Sequence, residues 1–289
     1  MSAFNINRLC IIGVGSIGGS VACALRVAGC VNTIIGVGRD TENLEQAKLL
    51  GVIDESSTEI NVAVEGADVV LVATPLGAMQ AVFDELASCL PENGVFTDVG
   101  SSKQYVVDAV KKAFGDLPKN FVPGHPIAGT EKNGVAAAYS ELFQQRRVIL
   151  TPQAETDKAA LEMVRQMWLA CGAQLVEMKA KHHDEVLAET SHLPHMLAYA
   201  LVDTLARMDD KQEIFEFAAG GFRDFTRIAS SDPQMWHDIC IANREQLTKV
   251  LHAFNDDLQR LTKAVENADS DYLKETFTRA KNARDKFCG

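Results

Sequence analysis

The stretch Leu9-Cys10-Ile11-Ile12-Gly13-Val14-Gly15-Ser16-Ile17-Gly18-Gly19-Ser20 decides how the rest of the chain is read. Four apolar residues in a row suit a strand buried on both faces. They run straight into G-x-G-x-x-G, and helical spacing opens at once behind it. Alone, that glycine pattern is weak; between a strand and a helix it has the context a dinucleotide phosphate site requires. Gly13 permits the tight turn, Gly15 lets backbone approach a pyrophosphate, and Gly18 lets helix and strand pack closely. Ser16 and Ile17 fall in the first helical turn, where unpaired N–H groups and the helix dipole attract an anion. The alternative is a glycine-rich turn holding no ligand, and the flanking strand and helix speak against it.

Outward from this loop, short Val- and Ile-rich runs alternate with helical stretches. The runs are residues 9–12, 33–37, 68–73, 95–99, 121–122 and 148–150, and they read as buried parallel strands. Helical spacing fills residues 17–29, 42–50, 79–89 and 103–114. This order predicts an α/β fold with a Rossmann-type doubly wound sheet. After residue 178 the strand-like runs stop, and helical spacing covers 181–208, 234–265 and 271 onward. We therefore expect a dinucleotide-binding domain over residues 1–178 and an all-helical domain over 179–289. The long apolar helices exceed what one small domain buries alone, which predicts a homodimer through the helical half.

Composition narrows the function classes. The 289 residues are 47% hydrophobic, enough for a sizeable core. The formal charge of −11 makes nucleic acid and anionic membrane poor partners. An anionic metabolite is still admissible if a few local cations or helix N-termini receive it. No apolar run reaches membrane-span length, and the first residues lack a signal-peptide layout. The seven cysteines form no C-x-x-C pair and read as reduced thiols, which places the chain in the cytoplasm.

The second strand bears on cofactor choice. NAD binders usually end it with an acid that accepts from the ribose 2′-hydroxyl. Here Ile34-Ile35-Gly36-Val37 is followed by Gly38-Arg39-Asp40, with Arg39 beside the missing acid and Asp40 late. A guanidinium pairs well with a 2′-phosphate, so the reading favours NADP and leaves NAD open. Thr74 and Pro75 end the third long strand. Ser101 and Ser102 end the fourth, where Ser102 suits a helix N-cap. Both strand ends lie on the edge where such sheets bind ligands.

Three further segments carry a resemblance. They are Pro123-Gly124-His125-Pro126-Ile127-Ala128-Gly129-Thr130-Glu131; His183-Asp184 with Ser191-His192-Leu193-Pro194-His195; and Gly220-Gly221-Phe222-Arg223-Asp224-Phe225-Thr226-Arg227-Ile228-Ala229 with Trp236. With the glycine loop, in this order over nearly the whole chain, they resemble the prephenate, arogenate and cyclohexadienyl dehydrogenases of tyrosine biosynthesis. That family oxidises the C4 hydroxyl of a cyclohexadiene, passing hydride to a nicotinamide while the C1 carboxylate leaves as CO2. The resemblance implies that His125 is the catalytic histidine and that Ser101 hydrogen-bonds the same hydroxyl and helps orient the histidine. It implies that Arg227 receives a substrate carboxylate, that His183, Ser191, His192 and His195 line the substrate end, that Glu131 gates it and that Trp236 adds an aromatic wall. A neutral imidazole is also what the chemistry asks of a base near neutral pH.

Other readings are weighed against this. His192 and His195 have a spacing open to metal ligands, but there is no H-E-x-x-H and no neighbouring Cys, so no metal site is expected. A β-hydroxyacid dehydrogenase would rely on a lysine of the helical half, and Lys179 and Lys181 lack a supporting motif. A non-catalytic NADP sensor would need no proton acceptor at its cleft.

Overall fold

The computed structural model describes residues 4–129 and 132–287. The chain forms two compact units, Met1–Asn243 and Arg244–Gly289. The first runs β1 (Ile6–Ile12), α1 (Ser16–Val27), β2 (Val31–Val37), α2 (Thr41–Leu49), β3 (Glu55–Ser57), α3 (Ile60–Ala63), β4 (Val69–Val72), α4 (Leu76–Leu86), β5 (Val95–Asp98), α5 (Lys103–Phe114) and β6 (Phe121–Val122). It continues through β7 (Gly124–Pro126), β8 (Arg147–Leu150), α6 (Lys158–Ala170), β9 (Gln174–Glu177), α7 (Ala180–Leu187), α8 (Leu193–Ala206), α9 (Lys211–Glu216), α10 (Gly220–Thr226) and α11 (Pro233–Ala242).

A six-stranded sheet has the order β3-β2-β1-β4-β5-β6, and all its pairs are parallel. The continuous apolar runs are explained by cover on both faces. Leu9 and Ile11 of β1 and Val69 and Leu71 of β4 face one core with Val21, Leu25 and Trp168. Cys10, Ile12, Val70 and Val72 face the other, with Met79, Phe83, Val106 and Phe121. The order reverses between β1 and β4, so the loops leaving these two strands flank the crevice where doubly wound sheets bind their ligands.

Residues 148–150 do not join that sheet. They form β8 of a second sheet, β7-β8-β9, antiparallel to β7 and parallel to β9. The cause lies at Pro123, which has no N–H for the main ladder. Its carbonyl instead accepts from Thr151 N at 2.9 Å. The chain thus leaves β6 after two residues and pairs anew as β7, turning His125 toward the helical part.

Two expected helices are interrupted. Between α7 and α8 lies a π-turn, Ala188–His192. Pro194, in the first turn of α8, lacks the N–H that would bond the Thr190 carbonyl, and its ring would strike that carbonyl in a regular helix; the wider turn makes room. Residues 234–265 break at Asn243 into α11 of the first unit and α12 of the second.

The second unit consists of α12 (Arg244–Glu266) and α13 (Ser270–Phe287). Its apolar side chains Leu258, Val265 and Phe277 are exposed. Among the described residues no helix is long and apolar enough to cross a membrane.

Candidate active site

The glycine loop is shaped by close approach. Gly13 has φ 100°, and a Cβ there would lie 2.7 Å from the Ala73 backbone at the end of β4. A Cβ on Gly15, by contrast, would meet nothing within 4 Å. Gly15 is the N-cap of α1 and supplies no side-chain cap, so the helix N-terminus has open space at Gly15. Across the crevice, the Thr74 hydroxyl is buried without a hydrogen-bond partner, and Pro75 caps α4. Amides at a helix N-terminus, room above Gly15 and an unpartnered hydroxyl fit a dinucleotide.

Past β2, Arg39 is exposed. The Asp40 carboxylate accepts from Asn43 N at 3.1 Å and caps α2. Asn43 in turn donates to Val14 O at 2.8 Å, tying α2 to the glycine loop. The acid that reads as one or two positions late for a ribose is therefore engaged by its own helix.

His125, on β7, is buried and has its Nδ1 2.8 Å from His183 Nε2. His183 Nδ1 lies 2.7 Å from Asp184 Oδ1. The Asp184 carboxylate also accepts from Lys103 N at 2.7 Å, Gln104 N at 3.0 Å and the Ser102 hydroxyl at 3.0 Å. Burial pushes this carboxyl up, but the hydrogen bonds from His183 and from the Lys103 and Gln104 amides outweigh it and hold Asp184 below its ordinary value. His183 is held down by burial, against the pull of Asp184.

Those directions fix the protons. An ionised Asp184 requires Nδ1–H on His183. A neutral His183 then has a lone pair on Nε2, which accepts from Nδ1–H of His125. The lone pair of His125 is left on Nε2. Burial first, then the charges of His183, Lys103 and His192, keep this imidazole well below its ordinary range. The arrangement is a neutral base with its tautomer set from behind.

Several expectations change here. Ser102 does not cap α5 with its side chain; Asp184 receives the helix amides instead, and the Ser102 hydroxyl donates to the same carboxylate. Ser101 is half-buried at the end of β5, but His183, not Ser101, is the hydrogen-bond partner that orients His125. His183 and His192 are almost without exposed surface, so they underlie the site rather than line its open face.

His192 Nδ1 accepts from Asn243 Nδ2 at 3.1 Å, and the same amide donates to Asp184 O at 2.8 Å. Burial holds His192 at about 4. His195 Nδ1 donates to Ser191 O at 2.8 Å, and its ring stacks on Trp236 with centroids 3.7 Å apart. Burial lowers His195, and Arg227, exposed at the end of α10, adds to that through its charge. The Trp236 indole N–H is buried without a partner. Glu131 lies outside the described residues. Asp98, Lys103 and Asn243 carry no motif that marks them; their contacts appear only in the fold. Among the described residues no group of three His, Cys, Asp or Glu side chains is placed to hold a metal ion.

A parallel sheet of this order, a glycine loop that fits a dinucleotide and a buried neutral imidazole are the parts of a nucleotide-dependent dehydrogenase. Residues 21–177 match the family model described as "Prephenate dehydrogenase, nucleotide-binding domain", and residues 179–279 match "Prephenate dehydrogenase, dimerization domain". The chain is 39% identical to the cyclohexadienyl dehydrogenase of Zymomonas mobilis, over 96% of this chain and 94% of that one. It is 38% identical to the prephenate dehydrogenase of Bacillus subtilis, over 96% of this chain and 76% of that one. The crystal structure of prephenate dehydrogenase from Aquifex aeolicus with hydroxyphenyl propionate and NAD+ superposes with a TM-score of 0.91 at 36% identity, covering 99% of both chains. The chain belongs to the prephenate dehydrogenase family.

Proposed function

We propose that this enzyme oxidatively decarboxylates prephenate to 4-hydroxyphenylpyruvate, arogenate to tyrosine, or both, and that it favours NADP over NAD. The observation that carries the reading is the chain Asp184–His183–His125, which leaves a lone pair on His125 Nε2 for the proton of the C4 hydroxyl. Ser101, at the neighbouring strand end, is our second contact to that hydroxyl. Arg227 receives a substrate carboxylate. Because the ring carboxylate is the group lost as CO2, its partner must orient it without over-stabilising its charge. His195, with Nε2 free to accept, Ser191 and Trp236 form the rest of the substrate end, with Glu131 as its gate. His183 and His192 act from beneath.

A bound nicotinamide cofactor supplies the two-electron acceptor. Gly13, Gly15, Ser16, Ile17 and Gly18 would hold its pyrophosphate, and Thr74 and Pro75 would lie along it. The preference for NADP rests on Gly38 in place of an acid, on the engagement of Asp40 with α2 and on the exposed Arg39 beside them. The exposed apolar faces of α12 and the rest of the helical half support a homodimer. The free thiols suit a reducing compartment, and we place the enzyme in the cytoplasm.

The test is the initial rate of NADP and of NAD reduction, each with prephenate and with arogenate. Turnover in any mixture upholds the activity, and the four rates give both preferences. No turnover from folded protein that binds cofactor overturns it. A β-hydroxyacid dehydrogenase is not favoured, since Lys179 and Lys181 are both exposed.

A further inference from the structure

Lys103 opens α5 and has no exposed surface, a rare state for a lysine. The N-terminal turn of a helix is also the wrong end for a cation. Its ammonium donates to the Asp98 carboxylate, at the end of β5, and to the Gly124 carbonyl on β7. Asp98 accepts in addition from Gly100 N at 2.7 Å and Gly124 N at 3.2 Å. Gly100 directly precedes Ser101, and Gly124 directly precedes His125. An apolar pair of similar volume is often no worse for stability, because taking two charges out of water costs about as much as their attraction returns.

We propose that Lys103, paired with Asp98, is a positioning residue: the pair clamps the backbones of β5 and β7 so that Ser101 and His125 converge on one substrate hydroxyl. The inference rests on the reading of His125 as the base. The buried cation has a second effect. The groups facing His125 are His183 from α7, His192 from the π-turn and Lys103 from α5, and Lys103 is itself faced by Asp98 and Asp184. Burial lowers Lys103 while Asp98 and Asp184 raise it. As a cation it opposes protonation of His125, so removing it moves the base upward.

The experiment compares the wild type, Lys103→Gln, the double variant Asp98→Asn with Lys103→Met, and His125→Asn. The readouts are cofactor affinity by fluorescence titration, KM and kcat, and the pH profile of kcat/KM. We expect Lys103→Gln and the double variant to bind cofactor within about threefold of wild type. Their kcat should fall about 10- to 100-fold, the scale of a catalytic group misplaced by about 1 Å. KM should change little, and the acid limb should move to higher pH. The double variant removes both charges and strands neither, so it reports on the clamp even where Lys103→Gln, which leaves the buried Asp98 carboxylate without its cation, does not fold. Unchanged kcat with an unmoved acid limb in either folded variant overturns the clamp. An acid limb that survives in His125→Asn overturns the reading of the base itself, and the clamp with it; that outcome is seen in His125→Asn alone.

Discussion

His125 presents a lone pair outward only because Asp184 fixes the proton on His183 and His183 fixes the one on His125. Replacing His125 by Asn keeps a polar side chain of similar reach but removes the base. We expect kcat to fall about 10²- to 10⁴-fold, the usual worth of a general base, with cofactor affinity intact. Initial rates and a cofactor titration on the same preparation check this, and a near-normal kcat removes His125 from the role. At the other end of the crevice, Arg39→Ala should raise the KM for NADP far more than that for NAD. Equal changes would mean that Arg39 does not meet the 2′-phosphate. The sequence motifs single out His125 and His183, yet their contact spans 58 positions and no local rule connects them. Lys103 is harder still to find. A lysine in the first turn of an amphipathic helix reads as solvated, and only the turn of β6 into β7 brings the Gly124 carbonyl over it. Ser102 misleads for the opposite reason. It is a good capping residue at a helix start, but a carboxylate from α7 takes the same amides.

That substitution at the α5 terminus is a property of elements, since it ties a Rossmann helix to α7 about eighty residues later. Asp184→Ala should uncap α5 and strand the Nδ1–H of His183, at a cost of about 3 kcal/mol or more, because several buried donors lose hydrogen bonds to a charged acceptor at once. Ser102→Ala should cost less, roughly 1.5–3 kcal/mol, the value of one hydrogen bond to a charged group. Urea unfolding of the two variants decides it; if Ser102→Ala is the more damaging, the cap has been assigned to the wrong side chain. Elements were legible where one physical signal dominated. The continuous apolar runs of β1, β2, β4 and β5 announce burial on two faces, and the order of strands and helices announces the parallel sheet. β3 and β7 are three residues each, too short for a period to show, and they exist because a neighbouring strand offers a ladder. α6 is amphipathic and capped by Asp157, but it lies between β8 and β9, which pair with each other in a sheet that the linear pattern does not reveal. The π-turn follows from a single proline inside otherwise unbroken helical spacing.

At the scale of the molecule, the site places three buried imidazoles, His125, His183 and His192, in one fold, and burial lowers all three. This makes stability depend on pH in a stated direction. An unfolded chain takes up a proton on His192 below its ordinary 6.5, whereas the folded chain resists until about 4. Between those values the unfolded state binds more protons, so stability rises with pH. The contribution is complete above 6.5 and is lost as pH falls toward 4. For His192 alone the full span is worth roughly 3 kcal/mol, of which about 2 kcal/mol is gone by pH 5. That is a large share of the roughly 5–15 kcal/mol that holds a domain together. Trp168 and Trp236 both lie in the first unit, so their fluorescence follows its unfolding in urea. We expect the midpoint to drop between pH 7.5 and pH 5 in the wild type. His192→Gln cannot take up the proton in either state, so its profile should be flatter by about 2 kcal/mol over the same interval. It should retain the steeper loss at lower pH, where the unfolded chain protonates an Asp184 carboxylate that the fold holds ionised. An equally steep fall in His192→Gln between pH 7.5 and pH 5 would show that His192 is not buried neutral, and with it that Asn243 does not hold the π-turn in the arrangement described.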